Sequence, residues 1–167
     1  TLAINAKIPK PKLGASIDVV DAAQWKHIRK YRAGDRASPE RRNVLGVAAM
    51  ARDVGAEVLV FVRDRDADAS RGAEIDGAIP AAETINEIRV AGGVAIEEIE
   101  AWLLALLGQR GSEALSDAKA VLSKQGYDTL EQKLDIIDGC QLDRVPDDAG
   151  SLARWVERFR TAFEIGP

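Results

Sequence analysis

The sequence predicts a mixed α/β fold with a mostly parallel sheet flanked by helices. A continuous run of five apolar residues, Val58 to Val62, is typical of a strand buried on both faces, as in parallel sheets. Helical patterns precede and follow this run, so strands and helices alternate along the chain. That alternation favours parallel strands joined by helices.

The first 57 residues predict one strand and two helices. Residues 2–8 alternate loosely and predict a short strand. Asp18 is expected to cap a helix through about Tyr31. Ser38 followed by Pro39 and Glu40 is a strong helix start, and that helix should run to about Val54, with Gly55 just past its end.

The remaining chain predicts one further strand and several helices. Residues 67–80 indicate a polar connection, with a short helix at 81–85. Residues 87–93 predict a strand that leaves through a Gly-Gly turn, and residues 94–108 predict a helix. Three more helices are expected to begin at Ser116, Thr129 and Ser151, the last with Trp155, Phe159 and Phe163 on one face.

Length and composition indicate one α/β domain, residues 1–110, and a helical extension, residues 111–167, packed on it. No run approaches the ~18 apolar residues of a membrane span. The single cysteine, Cys140, excludes an internal disulfide and fits a cytoplasmic protein. Because the chain begins at Thr1 rather than Met, we expect it to start inside a longer gene product.

The net charge of −4 hides an asymmetry along the chain. Residues 1–43 carry ten Lys/Arg and four Asp/Glu, whereas the remainder carries 13 and 23. The basic residues concentrate between Lys26 and Arg42. They form either a contact for a polyanion or the solvated faces of two helices.

Three aspartates at alternating positions, Asp64, Asp66 and Asp68, follow the buried run directly. Ligands of open α/β sheets sit beyond the carboxyl ends of the strands, and oxygen ligands suit Mg²⁺ or Mn²⁺. The alternative is a solvated loop whose charge is offset by neighbouring arginines. A calcium EF-hand is excluded, because Ala69 and Ile75 stand where that loop needs Gly and Glu.

A second acidic group, Glu97, Glu98 and Glu100, lies in the first turns of the helix predicted at 94–108. These carboxylates gain from the helix N-terminal dipole, which alone could explain them. Alternatively, one of them joins the aspartates, since Glu97 and Glu100 would share a helical face. Trp102 is then either a core anchor or a wall of the site.

The pairing of "VLVFVRDRDAD" with "VAIEEIEAWLLAL", followed by "SDAKAVLSKQGYDTLEQKL", resembles uncharacterised bacterial proteins with a TOPRIM-like domain, distant relatives of OLD-type nucleases. Those proteins often occur near phage-defence or toxin–antitoxin genes. The resemblance covers about residues 40 to 135. It implies a TOPRIM-like fold and a divalent metal at the sheet's carboxyl edge, where Asp64 and Asp66 match the aspartate pair and Glu100 the glutamate-x-tryptophan position.

One feature of the family has no match. TOPRIM domains carry an essential glutamate after their first strand, well before the aspartates. In residues 1–57, Glu40 lies in a helix start and Glu57 opens the aspartates' own strand. We therefore expect that the missing strand and glutamate lie upstream of Thr1, or that this protein has lost them.

The first hypothesis is a metal-dependent, TOPRIM-like nuclease. Asp64, Asp66 and Glu100 would be catalytic and, with Asp68 and Glu97, would hold Mg²⁺ or Mn²⁺. The residues expected to contact nucleic acid are Lys26, Arg29, Arg41, Arg42 and Arg65.

The second hypothesis is a non-catalytic module that binds a protein partner, such as an ATPase or an antitoxin-like neighbour, through its helical tail. Metal-dependent phosphotransfer on a small molecule is the third.

Overall fold

The computed structural model describes residues 2–7, 18–28, 37–66 and 68–164. Its strands are β1 Leu2–Lys7, β2 Asp18–Gln24, β3 Val58–Asp64 and β4 Arg89–Ala95. Its α-helices are α1 Pro39–Asp53, α2 Arg71–Asn86, α3 Ile99–Leu106, α4 Ala118–Lys124, α5 Leu130–Gly139 and α6 Gly150–Phe163. The fold is mixed α/β, and no helix in the described part of the chain is long and apolar enough to cross a membrane.

The four strands form one sheet in the order β2-β1-β3-β4. β3 and β4 are parallel and joined by α2, as the buried run predicts. β1 is antiparallel to both β2 and β3, so the expectation of a mostly parallel sheet is wrong for its other half. For β1 and β2 the physical reason is the connection: a parallel pair needs a crossover of a dozen or more residues, and only ten residues separate these strands.

The helix predicted from Asp18 to Tyr31 is a strand over its first seven residues. β2 pairs with β1 from Leu2↔Gln24 to Lys7↔Asp18. Val19 and Val20 are β-branched and favour extended backbone, and the ladder with β1 outweighs the single cap that Asp18 could give a helix. The end of the predicted helix lies outside the described residues.

The start and end predicted for α1 are confirmed. The Ser38 side chain accepts a hydrogen bond from the Arg41 backbone N–H (3.2 Å), and Pro39 is the first helical residue. The helix ends at Asp53, and Gly55 follows with φ of +72°, a conformation that glycine adopts without steric cost.

Both faces of β3 are covered, as predicted. Leu59 and Phe61 are buried in the core beneath α1 and α2. On the other face, Val58 packs with Ala162 and Phe163 of α6. The strand therefore lies between two helical layers, and its last three residues, 62–64, are only partly buried.

The connection between β3 and β4 is more helical than predicted. α2 begins at Arg71 rather than near residue 81, and it contains Pro80. Pro80 is exposed, whereas Ile75, Ala78 and Ala82 are buried against the sheet. Burial of this small, apolar helix face stabilises α2 by more than the loss of the one backbone hydrogen bond that Pro80 cannot donate.

Gly92 and Gly93 continue β4 instead of forming the turn predicted there. A Cβ on Gly92 would overlap the ring of Phe61, and a Cβ on Gly93 would lie 2.8 Å from the Trp155 ring. The glycines are therefore needed for close packing on both faces of the strand. Trp155 reaches further and donates to the Phe61 carbonyl (3.2 Å).

The three C-terminal helices occur near their predicted positions. Thr129 and Gln132 form the predicted capping box of α5. Asp117, not Ser116, caps α4 by accepting from the Ala120 backbone N–H (2.8 Å). The aromatic face of α6 is confirmed, since Phe159 and Phe163 stack with ring centroids 4.4 Å apart.

We predict that Gly92→Ala lowers the free energy of unfolding by about 1–3 kcal/mol, because the added methyl overpacks the β4–Phe61 contact. Gly77→Ala is the matched control: its Cβ would meet no atom within 4 Å, and alanine should stabilise α2 by about 0.5–1 kcal/mol. Urea denaturation measures both. Equal effects of the two variants would contradict the packing argument.

Candidate functional site

The end of β3 is joined to the start of α3 by hydrogen bonds. One carboxylate oxygen of Asp64 accepts from the backbone N–H of Ile99, the first residue of α3 (3.0 Å). The backbone N–H of Asp66 donates to the Glu97 carbonyl (3.0 Å). The D-x-D segment and the segment leading into Glu100-Ala101-Trp102 therefore lie side by side at one edge of the sheet.

The acidic segment after β4 differs from the helix predicted at 94–108. β4 continues through Val94 and Ala95, which pair with Arg63 and Asp64 of β3 and are buried. The strand pairing and burial of these two residues outweigh the helical spacing of apolar residues that begins at Val94. Helix α3 begins only at Ile99, so the expectation of Glu97 and Glu100 on one helical face is wrong.

Each of the three glutamates has its own partner. Glu97, which has a φ of +60°, forms an ion pair with Arg65. Glu98 accepts from the Lys119 backbone N–H (2.9 Å). Glu100 pairs with Lys133 of α5 (2.7 Å), and their side chains are only 13% and 23% exposed. Glu100 therefore ties α3 to α5.

A cluster of charged side chains lies at the end of β3 and is called the strand-end cluster. Its centre is the guanidinium of Arg71, and its other members are Glu40, Asp64, Arg65, Asp66, Asp68 and Glu97. The Nε of Arg71 donates to Glu40 (2.9 Å), and its Nη1 donates to the carbonyls of Asp64 (2.9 Å) and Arg65 (2.7 Å) and to the Asp66 carboxylate. Burial lowers the pKa of Arg71, but the hydrogen bond to Asp66 and the charges of Glu40 and Asp66 raise it by more. Arg71 is therefore a fixed cation among the carboxylates.

Glu40 is the member of the cluster that sequence reasoning missed. The Ser38 cap fixes the first turn of α1, and Glu40 within that turn is buried, with 7% of the residue exposed. Its carboxylate faces Arg71 and lies 3.9 Å from the Arg63 guanidinium. A glutamate in a first helical turn is explained locally by the helix dipole, so nothing in the spacing indicated a partner 31 residues away.

Asp68 lies at the rim of the cluster. Hydrogen bonds from the Ser70 hydroxyl (2.7 Å) and the Ser70 backbone N–H (3.0 Å), together with the charge of Arg71, hold the pKa of the Asp68 carboxyl below its usual range. These contacts form a local turn ahead of α2, and both Ser70 hydrogen bonds are accepted by one carboxylate oxygen of Asp68.

The carboxylates predicted to bind a metal do not form a three-ligand group. Within residues 2–7, 18–28, 37–66 and 68–164, no three His, Cys, Asp or Glu side chains are arranged to hold a metal ion. Glu40 and Asp66 are bridged by Arg71, Asp64 is bonded to α3, and Glu100 is paired with Lys133. In this arrangement each of these carboxylates has a partner within the chain, and binding of Mg²⁺ or Mn²⁺ here stays a prediction from the family resemblance.

The basic residues predicted to contact nucleic acid are distributed over several elements. Arg65 belongs to the cluster through Glu97. Arg41 donates to the Gly77 carbonyl of α2 (3.4 Å), and Arg42 is half-buried in α1. Lys26 is exposed in a short 3₁₀ turn after β2, and Arg29 lies outside the described residues.

Trp102 is a core anchor rather than a wall of the site. It is 4% exposed, and its indole N–H donates to the Ser151 hydroxyl (2.7 Å) at the start of α6. The Ser151 hydroxyl donates in turn to Glu113 (2.6 Å), which also accepts from the backbone N–H groups of Ser151 and Leu152. The tryptophan after Glu100 thus fixes α3 against α6.

No protein-family model, curated protein or solved structure matches this chain.

We predict that Arg71→Gln lowers the free energy of unfolding by about 3 kcal/mol, because it removes the guanidinium 2.9 Å from the buried Glu40 carboxylate and leaves that of Arg63 at 3.9 Å. Arg52→Gln is the control, since Arg52 pairs with Asp53 on the surface and its loss should cost at most about 0.5 kcal/mol. Urea denaturation compares them. The Glu40→Gln/Arg71→Gln double variant should regain part of the loss, and additive losses would contradict the pairing.

We predict that Ser70→Ala raises the pKa of the Asp68 carboxyl toward its usual value, because the hydroxyl donates to the ionised form. The lowered pKa stabilises the folded protein at neutral pH, and this contribution is lost as the pH falls through the pKa of the folded state. An NMR pH titration of Asp68 measures the shift. An unchanged Asp68 pKa would contradict the assignment.

Proposed function

We propose that this chain is a TOPRIM-like partner module of a larger assembly, of the kind that functions in phage defence or toxin–antitoxin complexes, and that its strand-end cluster is structural rather than catalytic. The observation that carries the proposal is Arg71. Its guanidinium bridges the carboxylates of Glu40 and Asp66 and also donates hydrogen bonds to two backbone carbonyls at the end of β3. A residue of the chain itself thereby supplies the positive charge at this edge.

The TOPRIM-like assignment is supported by the way its two motifs meet. The D-x-D segment ends a buried strand, and Asp64 accepts directly from the first backbone N–H of the helix that carries Glu100 and Trp102. The parallel pairing of β3 with β4 agrees with it. The antiparallel β1 and β2 are a departure from the mostly parallel sheet that the resemblance implies.

A divalent-metal-dependent nuclease is the second candidate, with Asp64, Asp66 and Glu100 as its catalytic carboxylates. It is favoured by the concentration of oxygen donors at this edge, where Glu40 and Asp66 share one guanidinium. Carboxylates of this kind are the usual protein ligands of Mg²⁺ and Mn²⁺. For a metal to bind there, the Arg71 guanidinium would have to leave the carboxylates of Glu40 and Asp66.

We predict that the protein shows no saturable Mn²⁺ or Mg²⁺ binding at neutral pH in isothermal titration calorimetry, because Arg71 pairs with the Asp66 carboxylate, Lys133 pairs with Glu100, and Asp64 is bonded to the start of α3. The comparison variants are Asp64→Asn/Asp66→Asn and Asp147→Asn, the latter at an exposed aspartate paired with Arg110. All three proteins should behave alike.

Saturable binding that the double variant loses and Asp147→Asn keeps would overturn the proposal in favour of the nuclease. A nuclease assay on DNA and RNA with Mg²⁺ and Mn²⁺ then tests the catalytic role, and we expect no metal-dependent cleavage that depends on Asp64 or Asp66.

A further inference from the structure

Helix α5 carries a row of exposed apolar side chains. Leu130, Leu134 and Ile137 are 73%, 49% and 49% exposed, and all three are large apolar residues of the kind usually found in a core. Their spacing of four and three residues puts them on one face of the helix, one above another. Single exposed apolar residues are ordinary, but a contiguous row of this kind marks an interaction site.

Other positions of α5 already hold the helix in place. Ile136 is buried in the cluster formed with Leu104 of α3 and Leu122 of α4, and Lys133 pairs with Glu100. The capping box at Thr129 fixes its first turn. The exposed row is therefore not needed to attach α5 to the rest of the described structure.

Charge beside the row defines what can cover it. Glu131, Asp135 and Asp138 are exposed on the same helix. At 100° per residue they fall between about 80° and 140° from Leu130, along one flank of the apolar row. A carboxylate flank of this kind repels nucleic acid and anionic membranes, and it attracts Lys and Arg.

We propose that this α5 surface, defined as Leu130, Leu134 and Ile137 with Glu131, Asp135 and Asp138, docks an amphipathic helix of a partner protein that has Lys or Arg along one side of its apolar face. Apolar rows of two helices bury each other, and charges beside the seam set which partner fits and in which orientation. The inference rests on the proposed function as a partner module and supplies the chemistry of its partner.

The test uses the whole chain and a synthetic 18-residue helical peptide with Leu at i, i+4 and i+7 and Lys on one flank. A matched peptide has Glu in place of each Lys. Fluorescence anisotropy at about 0.15 M salt, where the Debye length is about 8 Å, measures both affinities. We expect the Lys peptide to bind at least tenfold more tightly than the Glu peptide.

Two variants of the surface separate the apolar from the charged contribution. Leu134→Ser/Ile137→Ser and Glu131→Lys/Asp138→Lys should each weaken binding of the Lys peptide at least tenfold, and only the second should remove its salt dependence. Leu107→Ser and Asp147→Lys are the controls, since Leu107, directly after α3, is 40% exposed and Asp147 lies in an exposed loop. Thermal melting of each variant establishes that the fold is kept.

Equal binding of the two peptides, or equal losses in the surface and control variants, would overturn the proposal. Concentration-dependent dimerisation that Leu134→Ser/Ile137→Ser abolishes would show a second copy as the occupant and would also overturn it. Failure here is distinguishable from failure of the proposed function, because metal titration reports on the end of β3 and not on α5.

Discussion

The contact of Arg71 with Glu40 is the interaction on which the described structure depends most. It joins the first turn of α2 to the first turn of α1, and the same guanidinium closes the end of β3 through two carbonyls. Both side chains are nearly buried, at 13% and 10% exposure, so neither charge can be solvated if the other is removed. Two helices and the central strand are thereby fixed at one point.

This constraint explains why a buried strand ends in so many charges. Asp66 is satisfied by Arg71, and Glu97 is satisfied by Arg65, both within the chain. Within residues 61–70, Arg65 and Asp66 thus pair with residues that follow later in the sequence, whereas Arg63 lies beside Glu40, which precedes it. An arrangement of this kind favours a fixed structural edge over an open ligand site.

Local patterns predicted the elements that depend on local interactions. The Ser38 cap, the Thr129 capping box and the aromatic face of α6 need only neighbouring residues, and all three occur. The errors lie where distant residues decide. Asp18 starts a strand because of β1, and Val94 continues one because of β3.

Only part of the candidate site could be predicted from the sequence, for the same reason. Asp64 and Asp66 follow from their place after a buried strand, and their proximity to the Glu100 segment follows from the adjacent parallel strand. Glu40 could not be inferred, because it reaches the cluster only through Arg71. Under the proposal of a structural edge, the residue between the carboxylates matters more than their number.

The most direct test of this account is a crystal structure determined after soaking in Mn²⁺, with an anomalous difference map. The account predicts the Arg71 guanidinium between Glu40 and Asp66 and no anomalous peak there. A peak bonded to Asp64 and Asp66, with Arg71 displaced, would contradict it.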